Sequence, residues 1–227
     1  MPEIKIDKLL RSPRKTISLQ ITSDARLIVR APYLASEDYI YQVIRKKTGW
    51  IRAKQDYFLR RQNTAPQRTF VPGEEFMFLG QSYALKASEE LPKAIVFDGD
   101  SLMVSAVVLE NAREHLEFWY KERALEYMRE KCGHYARLAG LTYKSVRISG
   151  AKTLWGSCGY KDTLNFSWRL IMAPVQVVDY VIVHELMHLK HRNHSRRFWA
   201  EVGNMMPDYR QKEHWLKQNG HLLNWPV

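Results

Sequence analysis

Cysteine is scarce in this sequence: Cys132 and Cys158 are the only two in 227 residues. Two thiols cannot form a disulfide framework, and such sparing use fits a reducing compartment. Long apolar runs are missing too, and none approaches the ~18 residues that span a bilayer. The opening stretch, MPEIKIDKLLRSPRK, carries neither a hydrophobic signal core nor a small-residue cleavage site. Together these absences set the expectation of a cytoplasmic protein with no membrane partner. There is no internal repeat, no low-complexity tract, no zinc-finger cysteine spacing, no aromatic RNP-like strand and no phosphate loop.

The composition is that of an ordinary globular chain, with 45% hydrophobic and 26% charged residues. Its net charge of +11 is unevenly spread. Residues 1–70 hold 15 Lys/Arg against 6 Asp/Glu, whereas residues 71–106 hold 2 against 6. A basic N-terminal third is able to face nucleic acid, a nucleotide or another anion, although a solvated basic face is the plainer reading.

Patterning predicts an α+β fold. KTISLQITSDARLIVRA (15–31) alternates as two strands around a turn at Ser23-Asp24, and residues of about 36–61 have helical spacing, with Ser36 as cap and a break at Gly49. FMFLGQSYALKA (76–87) and AIVFDGDSLMVSA (94–106) each read as a hairpin around a glycine turn. The pattern changes near residue 107, so the expected division is a β-rich part, 1–106, and an α+β part, 107–227. In the latter, a long helix over 108–138 ends at Gly140, and strands follow at 143–149, 151–157 and 163–170. Pro174 then opens a helix, and further helices are expected at 196–206, capped by Ser195, and at 209–219.

The chemistry concentrates in VIVHELMHLKHRNHSRR (181–197). His184-Glu185-Leu186-Met187-His188 fits H-E-x-x-H. On a helix, positions four apart lie about 40° apart around the axis and one turn apart along it, so both imidazoles reach one ion. Glu185 sits at the flank of that pair, placed to take a proton from a metal-bound water whose pKa zinc lowers to about 7. The preceding VVDYVIV (177–183) is apolar around most of the helix, which predicts burial, and buried histidines need partners.

A catalytic zinc takes three protein ligands and leaves a position open. His191 lies seven residues after His184, ~10.5 Å along a continuous helix, too far to converge with it. If Asn193 adopts the left-handed conformation and ends the helix, His194 swings back toward the metal. His194 is therefore the chosen third ligand, with Glu201 and Glu213 as rivals. Asp208 and Tyr209 are candidates for the outer-shell acceptors that ligating histidines need.

Ahead of the helix, KTLWGSCGYKDTLNFSWRLIMAP (152–174) reads as two strands around a turn. Trp155, Gly156, Ser157 and Cys158 are candidate substrate-binding residues, since glycine lets a backbone approach closely and an exposed strand pairs with a peptide. A structural bulge with a buried tryptophan is the competing reading. Arg169 holds either substrate or the helix, and Asn165 is read as structural. Nothing near Cys158 resembles a cysteine-hydrolase arrangement.

KTLWGSC and LNFSWRLIMAPVQVVDYVIVHELMHLKHRNHSRRFW closely resemble the YgjP-like metal-dependent hydrolase family, related to SprT-like and other minimal H-E-x-x-H metallopeptidases. The resemblance extends to RSPRKTISLQI, VRAP, MPDYR and WL, nearly the whole chain. It implies one zinc per chain on His184, His188 and His194, with Glu185 as general base. It also implies a zincin-like C-terminal part whose active-site helix packs on a small antiparallel sheet. Leu154 stands where arginine is frequent, and Ala25-Arg26 replaces an Asp-Gly-type turn. Members are described as predicted metallopeptidases, and the family has also been linked to UTP-hydrolysing pyrophosphatase activity. The leading expectation is a zinc metallopeptidase acting on peptide or protein. A nucleoside triphosphate pyrophosphatase is the alternative, though nitrogen-only ligands suit zinc better than magnesium. A nucleic-acid-associated module carrying a hydrolase is a further one.

Overall fold

Leu27, Val29 and Ala31 alternate inward along one strand and form the floor of a small core. The structure, a computed structural model, describes residues 4–22, 24–64, 68–152 and 154–225. In it β1 (Lys8–Ser12), β2 (Ser18–Ile21) and β3 (Leu27–Pro32) form a sheet of order β1-β3-β2, with β1 parallel and β2 antiparallel to β3. The expected turn between β2 and β3 includes Ser23, which lies outside the described residues. Ala25 there has φ 61°, a left-handed conformation that costs an alanine about 1 kcal/mol.

Helix α1 (Glu37–Lys46) starts at Ser36, whose hydroxyl accepts from the Tyr39 N–H at 3.2 Å. It stops at Lys47, two residues before the expected break at Gly49, and α2 (Thr48–Thr64) begins at once. The Thr48 hydroxyl reaches back to the carbonyls of Ile44 and Arg45 at the end of α1, adding to the bond that the Lys47 N–H makes to Ile44 at 2.9 Å. Ile40, Ile44 and Ile51 close the core over β3.

The chain divides between Ala65 and Pro66 into two compact units, not near residue 106. The two expected hairpins do form, as β4 (Glu75–Phe78) with β5 (Gln81–Ser88) and β6 (Ile95–Phe97) with β7 (Leu102–Ser105), joined through parallel β5–β7 pairing. They share one core with the C-terminal elements, however. Phe76, Leu85, Leu102 and Val104 pack in the same cluster as Leu116, Tyr120 and Met128 of α3 (Ala112–Ala139). The β4–β5 turn is bound directly to the later chain: Leu79 N–H donates to the Ile171 carbonyl at 2.8 Å, and a side chain on Gly80 would meet Pro174 at 2.6 Å. Alternation revealed the hairpins, but nothing local revealed which core they join.

Gly140, at φ 62°, ends α3 as expected. Then β8 (Ser145–Ser149), β9 (Gly156–Cys158) and β10 (Thr163–Ser167) form a sheet of order β8-β10-β9. This sheet is mixed, a correction to the antiparallel one expected: β10 runs parallel to β8 and antiparallel to β9. Strand β9 is shorter than the strand expected over 151–157, part of which, Thr153, lies outside the described residues. A 3-10 helix (Trp168–Met172) leads into α4 (Val175–Met187), and α5 (Arg196–Met205) and α6 (Tyr209–Asn219) follow. The fold class is α+β. No helix among the described residues is long and apolar enough to cross a membrane.

Candidate metal centre

Helix α4 is buried on most of its surface, with Val178, Ile182, Val183, Leu186 and Met187 wholly or almost wholly inaccessible. Asp179 anchors it to α3, accepting from the hydroxyls of Tyr127 and Tyr135, each at 3.0 Å. A helix held this firmly fixes the direction of the histidines at its end.

One ring nitrogen from each of His184, His188 and His194 lies within 4.8 Å of the others. The Nε2 atoms of His184 and His194 are 3.0 Å apart. The route by which His194 arrives differs from the expected one. Helix α4 ends at Met187, and the chain tightens immediately: Leu189 N–H donates to Leu186, and Lys190 N–H to Met187. Asn193 is not in the left-handed region, which among non-glycine described residues holds only Ala25, Phe70, Leu79 and Asp162. The reversal comes from this tight turn over residues 188–191. Ser195 then caps α5, accepting from the Phe198 N–H at 3.4 Å, so His194 is held just ahead of a new helix.

The rival carboxylates are occupied elsewhere. Glu201 pairs with Lys190 at 3.1 Å, and Glu213 with Lys217 at 2.5 Å. Asp208 pairs with Lys212. Tyr209 stacks on Trp199 at 5.2 Å between ring centres. Neither Asp208 nor Tyr209 is the acceptor for a ligand ring. That acceptor, for His188, is the carbonyl of His191, 2.9 Å from Nδ1.

The histidines fit a cation better than a structural role. The His184 Nδ1 is buried with no partner among the described groups, and its Nε2 faces another imidazole. An ion between the two facing Nε2 atoms takes a lone pair from each ring, which two imidazoles meeting at 3.0 Å do not otherwise both use. Burial, aided by the neighbouring His188 and His194, lowers the His184 pKa to about 3, and burial lowers that of His188 as well. Both rings are then neutral at neutral pH, with lone pairs available. Nitrogen donors of this kind suit zinc.

Glu185 points into the protein, at 5% exposure. Burial pushes its carboxyl up to about 8, against the opposing pull of the Cys158 backbone N–H. It lies against Gly156, where an added side chain would sit 2.6 Å from both Cγ and Oε1 of Glu185. The close approach expected of Gly156 is thus made by the carboxylate itself. Trp155 packs against Gly220, whose own side chain would meet the indole at 2.8 Å. Ser157 and Cys158 complete β9, the edge of its sheet. Arg192 fastens that edge to the turn after α4, donating to the Gly159 carbonyl at 3.0 Å and to Cys158 Sγ at 3.2 Å, and pairing with Asp162. Arg169 is a core residue: it lies over the Trp168 ring at 4.4 Å and donates to the Gly150 carbonyl at 2.9 Å. Asn165 sits in β10 opposite Ser157.

Two residues of the site escaped the sequence reading. Phe198 stacks on His188 with ring centres 4.5 Å apart, and Trp199 stacks on His194 at 5.7 Å. Their position one turn after His194 was the available signal.

Two solved structures are similar to this chain over part of its length. One is the crystal structure of the metallopeptidase zymogen of Pyrococcus abyssi abylysin, 26% identical, covering 44% of this chain and 99% of that one, with a TM-score of 0.38. The other is that of the metallopeptidase zymogen of Methanocaldococcus jannaschii jannalysin, 19% identical, covering 40% and 94%, with a TM-score of 0.37. No curated protein matches the sequence. The family model described as YgjP-like, metallopeptidase domain, matches residues 15–219, and the chain belongs to the YgjP-like family.

Proposed function

We propose that this protein is a zinc-dependent peptidase in which His184, His188 and His194 hold the ion and Glu185 moves the proton. The observation that carries the reading is a buried carboxyl, Glu185, next to His184 on the helix that brings two of three converging imidazoles together. Zinc on such nitrogens supplies Lewis acidity and lowers the pKa of water. Glu185 takes a proton from the water that attacks the peptide carbonyl and delivers it to the amide nitrogen as the C–N bond breaks. Burial favours the protonated form of Glu185, and a dication held by the histidines would favour the charged one, the two forms the proton transfer needs. The outer edge of β9, residues 156–158, receives an extended substrate segment as an added strand, with Trp155, Ser157 and Cys158 beside it.

Assays of an unstructured protein substrate and of UTP, run side by side with wild type and Glu185→Gln, test this. Zinc-dependent peptide cleavage is expected from the wild type. Glu185→Gln should keep about one zinc per chain and lose at least about 100-fold in kcat, the scale of a positioned acid–base. Cleavage unchanged in the variant, or turnover of UTP alone, sinks the proposal.

A further inference from the structure

Beyond the metal centre, α5 and α6 enclose an open groove of about 610 Å³. Trp199 and Tyr209 form its floor, and Arg196, Arg210, His214 and Lys217 its rim. Glu213 is the one acid among its lining residues, and it is paired with Lys217 at 2.5 Å. The groove therefore presents net positive charge above an aromatic floor. Its floor is continuous with the site: Trp199 stacks on His194 on one side and on Tyr209 on the other, at 5.7 and 5.2 Å. An extended peptide advances roughly 3.3 Å per residue, so a side chain one or two positions from the scissile bond reaches this floor.

The arginines are not placed to help their own helices. Arg196 lies in the first turn of α5 and Arg210 in that of α6, and neither turn contains an acid. A cation there works against the helix dipole. Both arginines are exposed, and Arg210 lies over the Tyr209 ring at 5.9 Å with its Nε donating to the Tyr209 hydroxyl at 3.4 Å, which holds its charge at the groove.

We infer that this groove is a substrate subsite for an acidic side chain, Asp or Glu, next to the bond that is cleaved. The assignment rests on the peptidase reading and adds a substrate class to it. The aromatic floor receives the methylene stem of the side chain and the rim receives its carboxylate. An arginine rim at an exposed site contributes a few-fold in affinity per charge, about tenfold for the pair.

The test uses the zinc-loaded full chain and an otherwise identical peptide set bearing Glu, Gln or Lys beside the cleaved bond. Binding is read by fluorescence anisotropy on Glu185→Gln, and cleavage on the wild type. The Glu peptide is expected to bind about tenfold tighter than the Lys peptide, and adding Arg196→Glu and Arg210→Glu should reverse that order while zinc content stays constant. Equal binding of all three peptides overturns the subsite. So does an equal loss for all three in the reversed variant, or displacement of the Glu peptide by UTP at lower concentration than by unlabelled peptide. Charge-selective binding without cleavage fails the peptidase reading and keeps the groove, whereas cleavage without charge preference does the opposite.

Discussion

The Nδ1 of His188 lies 2.9 Å from the carbonyl oxygen of His191. A carbonyl only accepts, so Nδ1 carries the proton and Nε2 is left with the lone pair that a metal needs. Helix geometry rules His191 out as a ligand, and the turn after Met187 gives its backbone a different task. The imidazole of His191 takes no part in that bond.

It follows that His191→Ala should keep close to one zinc per chain. His194→Ala removes a donor and should weaken zinc binding by more than about 100-fold, since even outer-shell losses cost 10–100-fold. Zinc content after dialysis and competition with a chelator measure both. The opposite pattern overturns the ligand set.

Gly156→Ala should disable the site without unfolding the chain. The new methyl group would sit 2.6 Å from Cγ and Oε1 of Glu185, inside contact distance, so carboxylate or strand must shift. Overpacking of this kind costs about 1–3 kcal/mol, and a misplaced base costs about 100-fold in rate. Zinc content should be unchanged, because the histidines are on another element. An alanine variant with normal turnover shows that Glu185 has room elsewhere.

The site was legible where local periodicity decides, and less so where tertiary contacts do. H-E-x-x-H on an apolar helix places His184, Glu185 and His188 by the helix repeat alone, and Ser195 marks the next helix start that carries His194 into reach. The manner of the turn was not legible, because ending α4 at Met187 depends on packing that overrides a run still compatible with helix. The β5–β7 pairing was equally invisible: parallel neighbours separated in sequence leave no local signature, which is why the unit boundary near 106 was misplaced. Phe198 and Trp199 read as ordinary core positions until the rings they cover are known.

Asp179 gives stability a pH dependence of known sign. Burial holds its carboxyl above the usual aspartate range, despite the hydroxyls of Tyr127 and Tyr135 that favour the charged form. A carboxyl raised in the folded state binds its proton more tightly there than in the unfolded chain. Its contribution is therefore full below the unfolded pKa, about 3.9, and is lost as pH rises through the higher folded value. Denaturant unfolding of wild type and Asp179→Asn over that range should show their difference shifting in favour of the variant as pH rises. A difference that stays constant with pH means the carboxyl is not perturbed.

Trp199 links the metal centre to the α5–α6 groove, and its loss should be felt on the metal side. His194 is the exposed member of the three converging histidines, and its ring is stacked on Trp199 at 5.7 Å and 29°. An exposed imidazole without that stack samples orientations that miss the ion, and ordering it again on binding costs affinity. Aromatic pairs of this kind contribute about 0.5–1.5 kcal/mol beyond area burial, or roughly two- to twelvefold in zinc affinity. Trp199→Leu should show that loss in chelator competition, and Trp199→Phe should recover most of it. Equal zinc affinity in wild type and Trp199→Leu reduces the indole to filling, with the orientation of His194 set by the cap at Ser195 and the edge contact with Phe198.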